Sequence, residues 1–140
     1  MIHEPLMNIL KAEMPDLSWS VNNYRASDDV GAVYNRQGRG ASRYEGDIHR
    51  PLYQVLIRSS DRGKAELYAY KVQTMLHKYT NDNMIAHLYK SAIPVKRLTI
   101  DVMLLENVGG VAFLGAAENN THEYSINFDA TLNILKEEEL

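Results

Sequence analysis

The sequence predicts an α+β fold: a single domain over residues 1–140, built as a mostly antiparallel sheet with helices packed on one face and a long irregular loop in the first half. Three observations predict it. Segments that alternate like strands outnumber those with helical spacing. Strands that follow one another along a chain tend to pair. The apolar stripe of each helical segment needs a sheet face to cover. No internal repeat, low-complexity block or linker divides the chain.

The elements follow in order. Pro5 suits an early helical position, and Leu6, Ile9, Leu10 and Met14 recur at helical spacing until Pro15 stops the helix. Leu17, Trp19 and Val21 then alternate with Ser18, Ser20 and Asn22, a strand with one buried face. From Arg25 to Arg50 the pattern breaks up: Val30 to Tyr34 reads as a brief strand, Gly38-Arg39-Gly40 as a turn, and the rest as irregular chain. After Pro51 a strand runs to Arg58, with Tyr53, Val55 and Ile57 on one face. Ser60 or Asp61 caps a helix from about Gly63 to Tyr79, whose Ala65, Tyr68, Ala69, Val72, Leu76 and Tyr79 form one stripe. Met84, Ile85 and Leu88 suggest a helical turn between Asn81 and Ala92. Val95 to Leu105 is a strand, and Asn107 to Thr121 a glycine-containing stretch around the apolar patch Val111–Leu114. Tyr124, Ile126, Phe128, Ala130, Leu132 and Ile134 give the clearest alternation of all, a long last strand. The tail Lys136–Leu140 reads as solvated.

Composition narrows the function. The chain has 140 residues, 15 Lys+Arg against 18 Asp+Glu, a formal net charge of −3 and no cysteine. A chain of this size buries about 68–70% of its unfolded surface, enough for one sizeable core. Without cysteine there is no disulfide scaffold, thiolate metal site or cysteine nucleophile. The near-neutral balance argues against a dedicated nucleic-acid binder. No apolar run is long enough to span a membrane, and the first residues lack the pattern of a signal peptide, so the expectation is a small intracellular domain. The five histidines include no HExxH pair, Gly63-Lys64 lacks the glycine of a phosphate loop, and no GxSxG elbow occurs. Asp28-Asp29 offers two carboxylates to a cation or, more simply, to a solvated turn. The expectation is a protein with no catalytic, metal or cofactor residues.

Charge placement says more. Arg25 to Lys64 holds eight basic residues against five acids, a net of +3; Asp101 to Leu140 holds eight acids against Lys136 alone, a net of −7. Separated charge of this kind allows head-to-tail association. The loop Tyr34–Tyr44 sets arginines between two tyrosines, both residue types being enriched at binding surfaces. Tyr34, Arg36, Arg39, Arg43 and Tyr44 are therefore the candidate contacts to a partner or to the lumen of a ring. Val111, Phe113 and Leu114 are candidates for a subunit interface, a buried turn being the plain alternative.

The strand Tyr53–Arg58, the polar turn, and the helix with Ala65, Ala69 and Leu76 together resemble the middle of tail terminator proteins of long-tailed, siphovirus-type phages, some of which are labelled minor capsid or tail-completion proteins. Leu114-Gly115, a polar turn and Glu123–Phe128 resemble that family's last strand. Relatives often carry an acidic, glycine-containing turn where this chain has Ala116–Thr121. The resemblance implies a structural protein of the virion at the head–tail junction, assembled in the host cytoplasm. It would form a ring, typically a hexamer, that caps the tail tube, ends its polymerisation and offers the head–tail joining surface. The implied partners are further copies of the chain, the tail tube protein and a head-completion or connector protein. DNA would be met only in transit through the lumen, with no membrane and no cofactor. A head-completion protein is the neighbouring alternative; a small cytoplasmic enzyme or ligand-binding domain with a dispersed site is the alternative of another class.

Overall fold

The computed structural model describes residues 1–24, 26–39, 46–77, 79–117 and 120–140. Its elements are α1 (His3–Glu13), β1 (Ser18–Val21), β2 (Val30–Arg39), β3 (Ile48–Ser59), α2 (Arg62–Leu76), β4 (Asp82–Lys90), β5 (Ile93–Ala117) and β6 (Thr121–Glu139). The six strands form one sheet in the order β1-β2-β3-β6-β5-β4, curled into a half-barrel. All pairings are antiparallel except β1 with β2, which run parallel. Parallel neighbours normally need a crossover of a dozen or more residues. Here the connection is short and held by side chains. Asp28 Oδ1 accepts from the backbone N–H groups of Asp29 and Ser60, both at 2.7 Å, and Asp29 Oδ1 accepts from Ser59 Oγ at 2.6 Å. The two aspartates thus tie the β1–β2 turn to the end of β3.

One buried cluster holds the fold together. β3 sends Tyr53, Val55 and Ile57 into it, and β6 sends Tyr124, Ile126, Phe128, Ala130 and Leu132, as the alternation predicts. Leu6 and Leu10 of α1 and Ala65, Ala69, Val72 and Leu76 of α2 enter the same cluster. α2 lies against β3, β6 and β5; α1 lies against β1 and β2 and reaches β4. α2 starts where Asp61 caps it, its carboxylate accepting from the Lys64 N–H at 3.1 Å. It ends at Leu76, a turn earlier than the stripe suggests, because His77 is already extended at ψ 132°.

Three expectations are corrected. Residues 82–90 form a strand, not a helical turn: Met84 and Ala86 are buried and face Ile100 and Leu98 across β4 and β5. The irregular loop is shorter than predicted, because β2 continues to Arg39 and β3 begins at Ile48; residues 40–45 lie outside the described residues. Val111–Leu114 is not a turn but part of β5, which continues past Asn107 by absorbing bulges between Val108 and Val111 and between Phe113 and Gly115. Gly109 and Gly110 make the first bulge possible with φ of 79° and 70°. The tail is mostly exposed, in keeping with a solvated end, and it is also paired: Lys96 holds Glu137 and Glu139, and Arg97 holds Glu138, across the β5–β6 ladder as far as Glu139.

Candidate assembly surface

The face of the sheet turned away from the core carries charge of opposite sign at its two sides. Tyr53, Val55 and Ile57 point inward, so Leu52, Gln54, Leu56 and Arg58 point outward. Register carries this face across four strands. Arg36 of β2, Leu52 of β3, Asp129 of β6 and Glu106 of β5 lie in one row, and Tyr34, Gln54, Asn127 and Val108 in the next.

At the β2 side the face is basic and aromatic. The Arg36 guanidinium sits 4.3 Å from the centre of the Tyr34 ring, while its Nε–H donates to Gln54 Oε1 at 2.8 Å. Gln54 in turn donates to Ser125 Oγ at 2.8 Å. Tyr34 meets Tyr24 edge-on at 6.4 Å, and Arg58 lies 4.4 Å from the Tyr24 ring centre. Arg58 and the Tyr24 hydroxyl both donate to Glu123 Oε2, each at 2.8 Å. Burial, reinforced by that hydrogen bond to Glu123, pushes the Tyr24 phenol well above its ordinary pKa. The network fixes Arg36 and Arg58 in place, so the face is preorganised. Gly38 packs against the backbone of β3: a Cβ there would meet the Arg50 carbonyl oxygen at 2.4 Å. Arg39 then stands opposite Arg50.

At the β5 side the same face is acidic. Glu106 and Asp129 are directly opposite one another, both exposed, and neither has a cationic partner among the described residues. Exposed Leu104 and Val108 flank Glu106 along β5.

Of the residues singled out from the sequence, Tyr34, Arg36 and Arg39 share β2, with Arg36 and Arg39 exposed and Tyr34 half-buried. Arg43 and Tyr44 lie outside the described residues. Val111 is half-buried against the core, whereas Phe113 and Leu114 are 47% and 54% exposed; Val111 and Phe113 stand opposite Ile126 and Tyr124 on one face. The Phe113 ring meets that of Tyr124 at 5.1 Å, tilted by 48°, and lies 5.3 Å beneath the Arg62 guanidinium. Beyond Asn107, which Gln73 and His77 of the α2 end engage, no strand covers the outer edge of β5 among the described residues. Sequence reasoning missed Gln54, Tyr24 and the Glu106–Asp129 apposition. Alternation marks Asp129 as outward, but its neighbour follows only from register. Among the described residues no three His, Cys, Asp or Glu side chains converge as metal ligands. No helix is long and apolar enough to cross a membrane.

Among curated proteins nothing matches the sequence. One similar solved structure is 14% identical with a TM-score of 0.50, over 96% of this chain and 91% of the other, a likeness of fold alone. The decisive match is to a family described as bacteriophage tail terminator protein, over residues 13–134. The chain therefore belongs to the bacteriophage tail terminator family, a family of structural proteins of the phage tail and so of the virion.

Proposed function

We propose that the protein forms a ring, most simply a hexamer, that caps the tail tube, ends its polymerisation and presents the surface to which the head connector joins. Family membership carries this reading. What supports self-association is the polarity of one sheet face, basic and aromatic along β2 and acidic along β5 and β6. Opposite surfaces on one subunit make a heterologous contact, and such contacts generate rings when the rotation closes. Tyr34, Arg36 and Arg39, with Arg43 and Tyr44 beyond them, supply partner contacts. The β5 edge bearing Phe113 and Leu114, with Val111 behind it, supplies the opposite side. DNA passes through the lumen without being held, since a chain of net charge −3 releases few counterions from it. Assembly takes place in the host cytoplasm, with no cofactor and no membrane.

The test is growth of tail tubes in vitro with and without this protein, followed by electron microscopy of tube length and tube ends. Arrested growth with added density at one end is the expected result. Tubes that elongate at an unchanged rate, with bare ends, overturn the proposal. Binding to the head connector but not to the tube would instead identify a head-completion protein.

A further inference from the structure

We propose that the acidic strip formed by Glu106 and Asp129 receives the arginine edge of β2, Arg36 and Arg39, from a second copy of this chain. The proposal rests on the ring reading above and names the contact that closes the ring. Its first support is an electrostatic imbalance within the subunit. Glu123, Glu137, Glu138 and Glu139 each hold a lysine or arginine. Glu106 and Asp129 instead face one another across β5 and β6 with no cation among the described residues. Like charges directly opposite in a sheet destabilise it, so the lone subunit carries a cost that a partner's cation removes.

The second support is the complementary imbalance at β2. Arg36 and Arg39 are exposed and meet no carboxylate among the described residues. Arg36 is already oriented by Tyr34 and Gln54, which lowers the entropy lost on docking. Both sets of side chains are also accessible: Arg36, Arg39, Glu106 and Asp129 are all exposed on the sheet face. β1 covers the edge of β2 only as far as Val33. The edge of β5 beside Glu106 is occupied, the Tyr79 carbonyl accepting from the Leu105 N–H at 2.8 Å and His77 Nδ1 from the Asn107 N–H at 3.0 Å, so the contact is made by side chains on the face.

Placement then decides between an internal and an external partner. Arg36 and Glu106 occupy the same row but are separated by β3 and β6, three strand spacings of about 4.8 Å each. The sheet keeps donor and acceptor apart on one molecule and presents them at opposite sides of one face. A second copy related by rotation brings them together, and Leu104, Val108 and Tyr34 supply the apolar and aromatic surround of such a contact.

The experiment compares wild type, R36E/R39E, E106R/D129R and an equimolar mixture of the two reversed variants. Assembly is read by native mass measurement, alone and on tail tubes, with circular dichroism as the folding check. Each reversed variant is expected to assemble about tenfold more weakly or worse, while the mixture restores assembly, because every junction of an alternating ring is then a pair of opposite charges. The single variant Glu106→Arg is expected to keep or raise the thermal midpoint while weakening association, which separates a contact residue from a structural one. Wild-type rings with reversed variants that assemble equally well overturn the contact alone. So do folded reversed variants whose mixture stays apart. Wild-type protein that remains monomeric both alone and on tubes overturns the ring reading, and this contact with it.

Discussion

Gly31 has no room for a side chain. A Cβ there would meet the Trp19 ring at 2.6 Å, and the indole cannot swing aside because its Nε1–H donates to the Met14 carbonyl at 2.8 Å. Gly31→Ala is expected to cost about 1–3 kcal/mol by overpacking, read as a lower denaturant midpoint at unchanged slope. Tyr53 is the second residue whose surroundings dictate a measurable outcome. Its ring is fully buried and its hydroxyl accepts from the Ile2 N–H at 3.0 Å. Tyr53→Phe leaves that N–H without its partner, at about 1–3 kcal/mol. Burial also pushes the Tyr53 phenol up to about 12 from its ordinary 10.0. The folded value lies above the unfolded one, so this contribution is complete below pH 10.0 and is lost as pH climbs toward about 12. The Phe variant should therefore lose less stability than wild type across that alkaline window. Tyr79, raised to about 12 chiefly by its hydrogen bond to Asp82, adds to the loss, as do Tyr24, Tyr68, Tyr89, Lys64 and Lys96, all of which are raised as well. An unchanged alkaline slope in Tyr53→Phe would refute the assignment.

The β4–β5 hairpin carries strain at the scale of an element. Its tip is Ser91-Ala92, both in the left-handed region with φ of 52° and 63°, where tight hairpins favour Asn-Gly. Ser91→Asn with Ala92→Gly should relieve roughly 1–2 kcal/mol, visible as a higher thermal midpoint; no gain would mean that neighbouring contacts hold the turn. The same tip explains why this hairpin was illegible in the sequence. Without Asn-Gly between them β4 and β5 do not announce a turn, and Met84, Ile85 and Leu88 mimic a helical face. By contrast α2, β3 and β6 were legible because each buries a regular stripe. The far half of β5 was hidden for another reason. The bulges at Val102/Leu104 and Phe113/Gly115 each insert one residue and flip the inward–outward alternation, and the one at Val108/Val111 inserts two, so the period of two never persists for long. The candidate surface divides along the same line. Its arginines and tyrosines are conspicuous by residue type, whereas the apposition of Glu106 and Asp129 exists only once the register is known.

Across the whole molecule the two ends of the sheet depend on one helix. β1 and β4 are its outermost strands, and α1 packs on β1 and β2 while reaching β4, where the Tyr89 hydroxyl donates to Glu4 Oε1 at 3.0 Å. Leu6 and Leu10 of α1 are fully buried in the cluster shared by the entire half-barrel. Leu10→Ala is expected to cost about 2–5 kcal/mol. Its signature in hydrogen exchange is joint: amides of β1 and β4 should lose protection together, although four strands lie between them in the sheet order. Protection lost in β1 and kept in β4 would show that the helix serves one edge only. In the proposed ring the consequence would reach assembly, because curvature of the half-barrel would set the angle between the arginine edge of β2 and the acidic strip of β5 and β6. A heterologous contact closes into a ring only at the right rotation per subunit. A folded Leu10→Ala protein should therefore form fewer closed rings than its remaining stability alone predicts, and counting closed rings against open chains by electron microscopy checks it.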